Sequence, residues 1–400
     1  MDKSAPIRRN TLFPFAALSA SYFAHIGFFN PYLPLWLKSL GFSISTIGLL
    51  TGVQALTRVL APYGWGWLSD HSANRISLLR FCAAAALVCA VGLFFQWGLL
   101  WLALVLLFMF IHTSAMMPMS EAALAQWVSN QGTFNTKRYG RIRLWGSIGF
   151  LVTVLVAGAW FDHLGLESFP AWAVGSLVAI NISVWWLPQQ AEVIHQDAAP
   201  EAVLSVLRQA KVRWFFVTVF FHVFAHIGIY VYLSLYLDAL GYSKTMIGIL
   251  WAVSVATEIV WFFTQSKWLP IFNLSTWLVI CSGVMVVRMC LTTWWSDVVL
   301  VLLLAQMLHA VTFASHHTVC ISILSKHFPG RLRGRGQALY ASIGYGAPGV
   351  LGAYLGGLLS DSFGLRSIYT ASLGVALVAC LCAWRTYYLS QKNFNLLDGN

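Results

Sequence analysis

The sequence predicts an all-α membrane protein with twelve transmembrane helices arranged as two parallel six-helix halves. Three observations carry this expectation. Of 400 residues, 59% are hydrophobic and only 9% are charged, whereas roughly a quarter of a water-soluble chain is charged. The apolar residues gather in twelve stretches, each near the ~20 residues that cross a bilayer as a helix, and not in the ~10-residue alternating strands of a barrel. The second half of the chain also repeats the first. Such a composition excludes most enzymes and free-standing nucleic-acid-binding domains.

In chain order the expected spans are 13–37, 44–68, 76–96, 99–127, 139–161, 169–187, 213–237, 244–269, 274–295, 298–325, 337–360 and 366–389. The start, Lys3 to Arg9 followed by apolar residues from Leu12, imitates a signal peptide. The apolar run continues to Leu37 without a convincing cleavage site, so it reads as an uncleaved first helix. The longest polar stretch, Gln189 to Arg213 with Glu192, His195, Asp197, Pro200 and Glu201, divides the spans into two sets of six. The expected organisation is an N-terminal half at 1–188, a cytoplasmic linker at 189–212 and a C-terminal half at 213–400.

Phe23-Ala24-His25-Ile26-Gly27 recurs as Phe224-Ala225-His226-Ile227-Gly228. Leu40-Gly41-Phe42-Ser43 recurs as Leu240-Gly241-Tyr242-Ser243, and Ser147-Ile148-Gly149 as Ser342-Ile343-Gly344. An even number of spans separates the copies, so both insert in the same orientation. Parallel repeats of this kind describe a secondary transporter with its site between the halves.

The charge balance is 24 Lys+Arg against 13 Asp+Glu, or +11. Its placement matters more than its size. The basic residues Lys3 to Arg9, Arg75, Arg80, Lys137 to Arg143, Arg208 to Arg213, Lys267, Lys326 to Arg335, Arg385 and Lys392 fall on one side of the expected topology. Lys38, Lys244 and Arg366 fall on the other. The positive-inside rule puts both termini in the cytoplasm, and the excess charge reads as topology and affinity for anionic headgroups, not as a nucleic-acid footprint. The seven cysteines all lie in spans without C-x-x-C spacing and read as packing residues.

Gly66-Trp67-Leu68-Ser69-Asp70 leading to Arg75 resembles the loop signature of the major facilitator superfamily, with Ala73 and Asn74 departing from it. Pro118-Met119-Ser120-Glu121-Ala122 with Tyr139-Gly140-Arg141-Ile142-Arg143-Leu144-Trp145-Gly146 is similar to lactose permease and, more closely, to the bacterial 3-phenylpropionate transporters grouped with it. The resemblance runs over nearly the whole chain. It implies the major facilitator fold, location in the bacterial cytoplasmic membrane and conformational gating by Gly66, Asp70 and Arg75.

No phosphate-binding loop, nucleophile elbow or His-Glu-x-x-His motif is present, which argues against an enzyme or an ATP-driven pump. What remains is a set of ionisable groups at membrane depth, each costing roughly 2.5–3.5 kcal/mol or more at a helix centre. Glu121, late in span four, and Arg143, early in span five, can meet between antiparallel neighbours. The resemblance makes this pair substrate-binding, with Phe150 supplying a ring; the alternative is an ion pair that only fixes packing.

Glu258, Arg288 and His309 match the lactose permease network linking proton and substrate sites, except that Thr312 stands where the permease has its proton-carrying carboxylate. The proton is therefore expected on Glu258, with a static Glu258–Arg288 pair as the alternative. Pairing Glu121 with Arg143 and Glu258 with Arg288 assigns Arg58 to a substrate carboxylate, by bidentate contact; the alternative is a gate between Arg58 and Glu258. His25 and His226 occupy repeat-related places and are expected to line the cavity. The i, i+4 spacing of His222 and His226 suggests a metal, but no carboxylate or cysteine lies near in sequence, so no metal and no cofactor is expected.

The sequence thus predicts a proton-coupled symporter importing a small aromatic carboxylate such as 3-phenylpropionate, driven by the proton gradient. A sugar or nucleoside symporter, and a non-transporting receptor or scaffold on the same fold, remain as alternatives. The partners expected are the substrate, protons and the lipid bilayer, with no nucleic acid.

Overall fold

The computed structural model describes residues 12–72, 74–130, 133–134, 136–189, 200–329 and 332–395. Helices α1 (Phe13–Ser39), α2 (Ile44–Ser72), α3 (Arg75–Val91), α4 (Leu99–Val128), α5 (Thr136–Leu164) and α6 (Phe169–Trp185) form the first half. A two-residue antiparallel pairing, β1 (Ser129–Asn130) with β2 (Thr133–Phe134), links α4 to α5. A short helix α7 (Pro200–Leu207) lies within the expected linker, followed by α8 (Ala210–Ala239), α9 (Lys244–Trp268) and α10 (Leu274–Trp294). The tenth expected span is interrupted: α11 (Val299–Met307) and α12 (His316–His327) flank a π-helical turn, Ala310–Ser315. A second π turn, Tyr340–Gly346, follows α13 (Arg333–Leu339) and precedes α14 (Ala347–Phe363); α15 (Arg366–Asn395) ends the described chain.

Ten helices among the described residues are long and apolar enough to cross a membrane. The other two expected spans are equally long but less apolar. Helix α1 carries Ser19, Ser21, His25 and Asn30, and the run through α14 is diluted by Gly344, Gly346, Gly349, Gly352, Gly356 and Gly357. Helices keep every backbone hydrogen bond internal, which is why this chain can expose Val88, Leu100, Phe263, Leu300 and Leu381 on its surface.

The repeated Leu-Gly-x-Ser string has a local physical reason. Gly41 (φ +86°) and Gly241 (φ +87°) take the left-handed conformation that lets the chain turn sharply after α1 and α8. Two residues on, the side chains of Ser43 and Ser243 accept the amides of Thr46 (3.2 Å) and Met246 (3.1 Å), capping α2 and α9. Asn74 and Asn273 cap α3 and α10 in the same way.

Contacts divide the chain into two compact units. One comprises Met1–Leu33 and Thr57–His195; the other comprises Pro34–Leu56 and Gln196–Asn400. In the first, α5 lies so close to α1 that a Cβ on Gly27 would stand 2.7 Å from the Phe150 carbonyl oxygen, and one on Gly146 would stand 2.6 Å from the Phe23 ring. Small residues of this kind let helix backbones approach in a membrane. In the second, segment 34–56 packs within the unit: Lys38 and Lys244 both reach Asp238, at 3.1 and 3.2 Å, and Gly357 lies against the Ser45 backbone. The core of this unit joins Phe215, Phe216, Val219 and Val223 of α8 to Trp277, Leu278 and Cys281 of α10 and to Val319, Cys320 and Ile323 of α12.

Candidate functional site

The first unit holds a charged cluster on α4 and α5. Arg143 Nε lies 3.3 Å from Glu121 Oε1, with 37% and 34% of the two side chains exposed. The sequence expectation that these residues meet is met in the geometry. Tyr139 hydrogen-bonds Glu121, and the Arg143 guanidinium sits 4.6 Å from the centroid of the Phe23 ring. The ring on Arg143 is thus Phe23, whose α1 helix is brought to α5 by the glycines described above. The Phe150 backbone packs against Gly27 and its side chain is half-buried. Tyr22 lies in the combined field of Arg58, Glu121 and Arg143. Arg58 is exposed on α2.

His25 belongs to a different environment. Its Nδ1 is 2.8 Å from Ser176 Oγ on α6, and its ring lies against Phe28 and Phe29. The repeat-related His226 instead touches the charged cluster of the second unit. The two histidines share a sequence position but not a role, because Ser176 supplies a neutral partner where the second unit supplies an arginine.

That arginine is Arg288, which is 0% exposed. Its Nη1 donates toward His226 Nε2 (2.9 Å), Thr312 Oγ1 (3.0 Å) and His309 Nδ1 (3.2 Å), and its Nη2 toward Gln306 Oε1 (3.1 Å). Ser254 also donates to Gln306 Oε1, at 2.7 Å, fixing the amide orientation. All four acceptors are neutral. Because His309 Nδ1 accepts, its proton sits on Nε2, which points at Glu258 Oε2 3.5 Å away. In place of the static Glu258–Arg288 pair that the sequence left as an alternative, His309 stands between the two groups.

Local backbone explains why these groups converge. The π turn Ala310–Ser315 inserts an extra residue into the span, and the Thr312 carbonyl accepts His222 Nε2 at 2.8 Å. His222 stacks on His316 with centroids 3.7 Å apart. Sequence reading found the histidines but not this turn, since π turns leave no composition signal; nor did it single out Gln306. Among the described residues no group of three or more His, Cys, Asp or Glu is arranged to hold a metal.

Of the expected gating residues, Gly66 and Asp70 fall in the last turns of α2, and the Asp70 side chain lies outside the described residues. Arg75 opens α3.

The family model described as the MFS_1 like family matches residues 17–371. The chain belongs to that family. It is 29% identical over 370 residues to the "Probable 3-phenylpropionic acid transporter" of Escherichia coli (strain K12), covering 90% of this chain and 93% of the relative. It is 22% identical over 366 residues to the "Maltose permease" of Geobacillus stearothermophilus, covering 90% of each. In structure it resembles a variant of the nucleoside transporter NupG, with a TM-score of 0.83, 16% identity and coverage of 94% and 100%. The MFS_1 like chain is accordingly a multi-pass membrane protein of the major facilitator transporter type, and not an enzyme. The differing names of these relatives leave the substrate to be argued from the site.

Proposed function

We propose that this protein imports a small organic acid, of the 3-phenylpropionate class, together with protons across a bacterial cytoplasmic membrane, by alternating access and with both termini in the cytoplasm. The observation that carries the coupling is the Glu258–His309–Arg288 relay. Among the described residues, neutral acceptors hold the buried guanidinium, and the Glu258 carboxylate is joined to it through a titratable ring. Proton loss or gain at Glu258 then changes the charge balance around Arg288, which is the kind of event that biases a bistable transporter.

The substrate class rests on two supports. The 29% identical relative is named for 3-phenylpropionic acid. At membrane depth, the arginines Arg58, Arg143 and Arg288 exceed the glutamates Glu121 and Glu258 by one formal positive charge, which favours an anion over a neutral sugar. In this reading Arg58, Glu121, Arg143 and Phe150 bind substrate, His226 and Arg288 hold the second cluster in register, and Glu258 and His309 carry coupling.

Uptake of radiolabelled 3-phenylpropionate into proteoliposomes tests the reading, with maltose and a nucleoside as comparators, each with and without an imposed proton gradient. Gradient-driven accumulation of the acid alone is expected. Uptake of a comparator in its place transfers the reading to a sugar or nucleoside symporter, and no uptake of any of them favours a non-transporting receptor.

A further inference from the structure

The π turn Ala310–Ser315 is held from another helix by a side chain that the relay does not include. On α8, His222 places its Nε2 2.8 Å from the carbonyl oxygen of Thr312, in the middle of the turn, and both residues are buried. A carbonyl oxygen can only accept, so Nε2 carries the ring proton. Nδ1 of the neutral ring is then an acceptor, and the Ser282 hydroxyl of α10 faces it at 3.5 Å. The ring also lies flat on His316, the first residue of α12, with centroids 3.7 Å apart and planes 7° from parallel. His222 thus holds both the middle of the turn and the residue that follows it.

Thr312 is gripped at both of its ends. His222 takes its main-chain carbonyl, and Arg288 Nη1 donates to its Oγ1 at 3.0 Å. His309 and Gln306, the other partners of Arg288 on this span, come just before the turn, whereas His316 comes just after it. A π turn carries one residue more than the α-helix on either side. Each residue of an α-helix advances about 100° around the axis, so loss of the extra residue would turn His309 and Gln306 by that angle against His316. Such a rotation carries His309 off the line between Arg288 and Glu258.

We propose that His222 is a positioning residue for proton coupling: its Nε2–H bond to the Thr312 carbonyl keeps the π turn in place, and with it His309 between Arg288 and Glu258. The coupling part of the proposal rests on the reading of Glu258 and His309 as the coupling pair. The hydrogen bond itself does not depend on that reading.

The test separates the donor from the bulk of the ring. H222F keeps a ring over His316 and loses the N–H, whereas H222Q offers an amide N–H at the same number of bonds from Cβ as Nε2. In proteoliposomes H222F should cut gradient-driven accumulation of 3-phenylpropionate about tenfold while counterflow stays within about threefold of wild type, and H222Q should restore most of the accumulation. Wild-type accumulation in H222F overturns the proposal. So does an H222Q protein as impaired as H222F, or loss of counterflow together with accumulation in H222F. A second measurement needs no variant: in the full-length protein isotope-labelled at histidine nitrogen and threonine carbonyl carbon, solid-state NMR should show a protonated ring nitrogen dipolar-coupled to a threonine carbonyl. Absence of that coupling overturns the proposal whether or not the variants fold. Gradient-driven accumulation that survives in E258Q overturns the proton reading of Glu258 and not the His222 bond, which the labelled protein reports. No uptake of 3-phenylpropionate by the unaltered protein overturns the substrate assignment alone, and the labelled protein then decides on His222.

Discussion

His309 stands between Arg288 and Glu258, with Nδ1 3.2 Å from the guanidinium Nη1 and Nε2 3.5 Å from the carboxylate. A neutral imidazole can accept at one nitrogen and donate at the other, so this ring holds one tautomer while Glu258 is ionised. Protonation of the carboxylate turns a charged acceptor into a neutral one, which weakens the bond from Nε2 and loosens the hold on the ring. The coupling between acid and arginine is thus conditional on the protonation of Glu258, which a direct salt bridge would oppose.

Glu258→Gln preserves the shape and an oxygen acceptor for His309 but cannot bind or release a proton. Gradient-driven accumulation should fall to the equilibrium level, whereas counterflow of preloaded substrate should remain within about threefold of wild type. Parallel flux measurements in proteoliposomes check this. Accumulation in Glu258→Gln that still follows the proton gradient moves the proton site to Glu121 or His309.

Arg58→Ala should abolish uptake of a carboxylate substrate while leaving the helical circular dichroism spectrum unchanged, because Arg58 is exposed on α2. Arg58→Lys should restore it only in part, since an ammonium lacks the planar fork that matches a carboxylate. Binding measured by isothermal titration with 3-phenylpropionate separates the two; undiminished affinity in Arg58→Ala removes this residue as the anchor.

Gly27→Val tests the seam between α1 and α5. Its Cβ would stand 2.7 Å from the Phe150 carbonyl oxygen and 2.9 Å from the Phe150 Cα, both backbone atoms that cannot rotate away. Overpacking of this kind costs about 1–3 kcal/mol or more, so the melting temperature in detergent should fall and transport should drop through displacement of Phe23 and Arg143. Gly175→Val, where nothing lies within 4 Å, is the control and should behave as wild type.

The legible part of this protein was what depends on local pattern. Apolar run length gave the helices, and the Leu-Gly-x-Ser repeat marked two turns whose glycine and serine do the same work twice. Glu121 and Arg143 could be brought together because they flank one short connection. Arg288 was readable as a buried charge and His309 as a member of its network, but its contacts to Gln306 and His226 were not. Gln306 and His226 come from α11 and α8, far apart in sequence, and the π turn that aims Thr312 has no signature in residue type. The diverging fates of His25 and His226 make the same point, since identical flanking residues met different neighbours.

Thr312 shows how far a single hydroxyl matters here. Its Oγ1 accepts from Arg288 Nη1 at 3.0 Å and donates to the Leu308 carbonyl at 3.2 Å. Thr312→Val keeps the β-branched shape and removes one acceptor, but Nη1 retains His226 and His309 for its two hydrogens. The loss should be one hydrogen bond, about 0.5–1.5 kcal/mol of stability, with proton coupling largely intact. Thr312→Glu is the more disruptive change. A carboxylate at this place reaches the guanidinium directly, draws Arg288 away from His309 and competes with Glu258 for its charge, so the pH dependence of uptake should shift. Initial uptake rates measured against pH for wild type and both variants decide the point: loss of coupling in Thr312→Val together with a wild-type profile in Thr312→Glu would place the proton near residue 312 and remove it from Glu258.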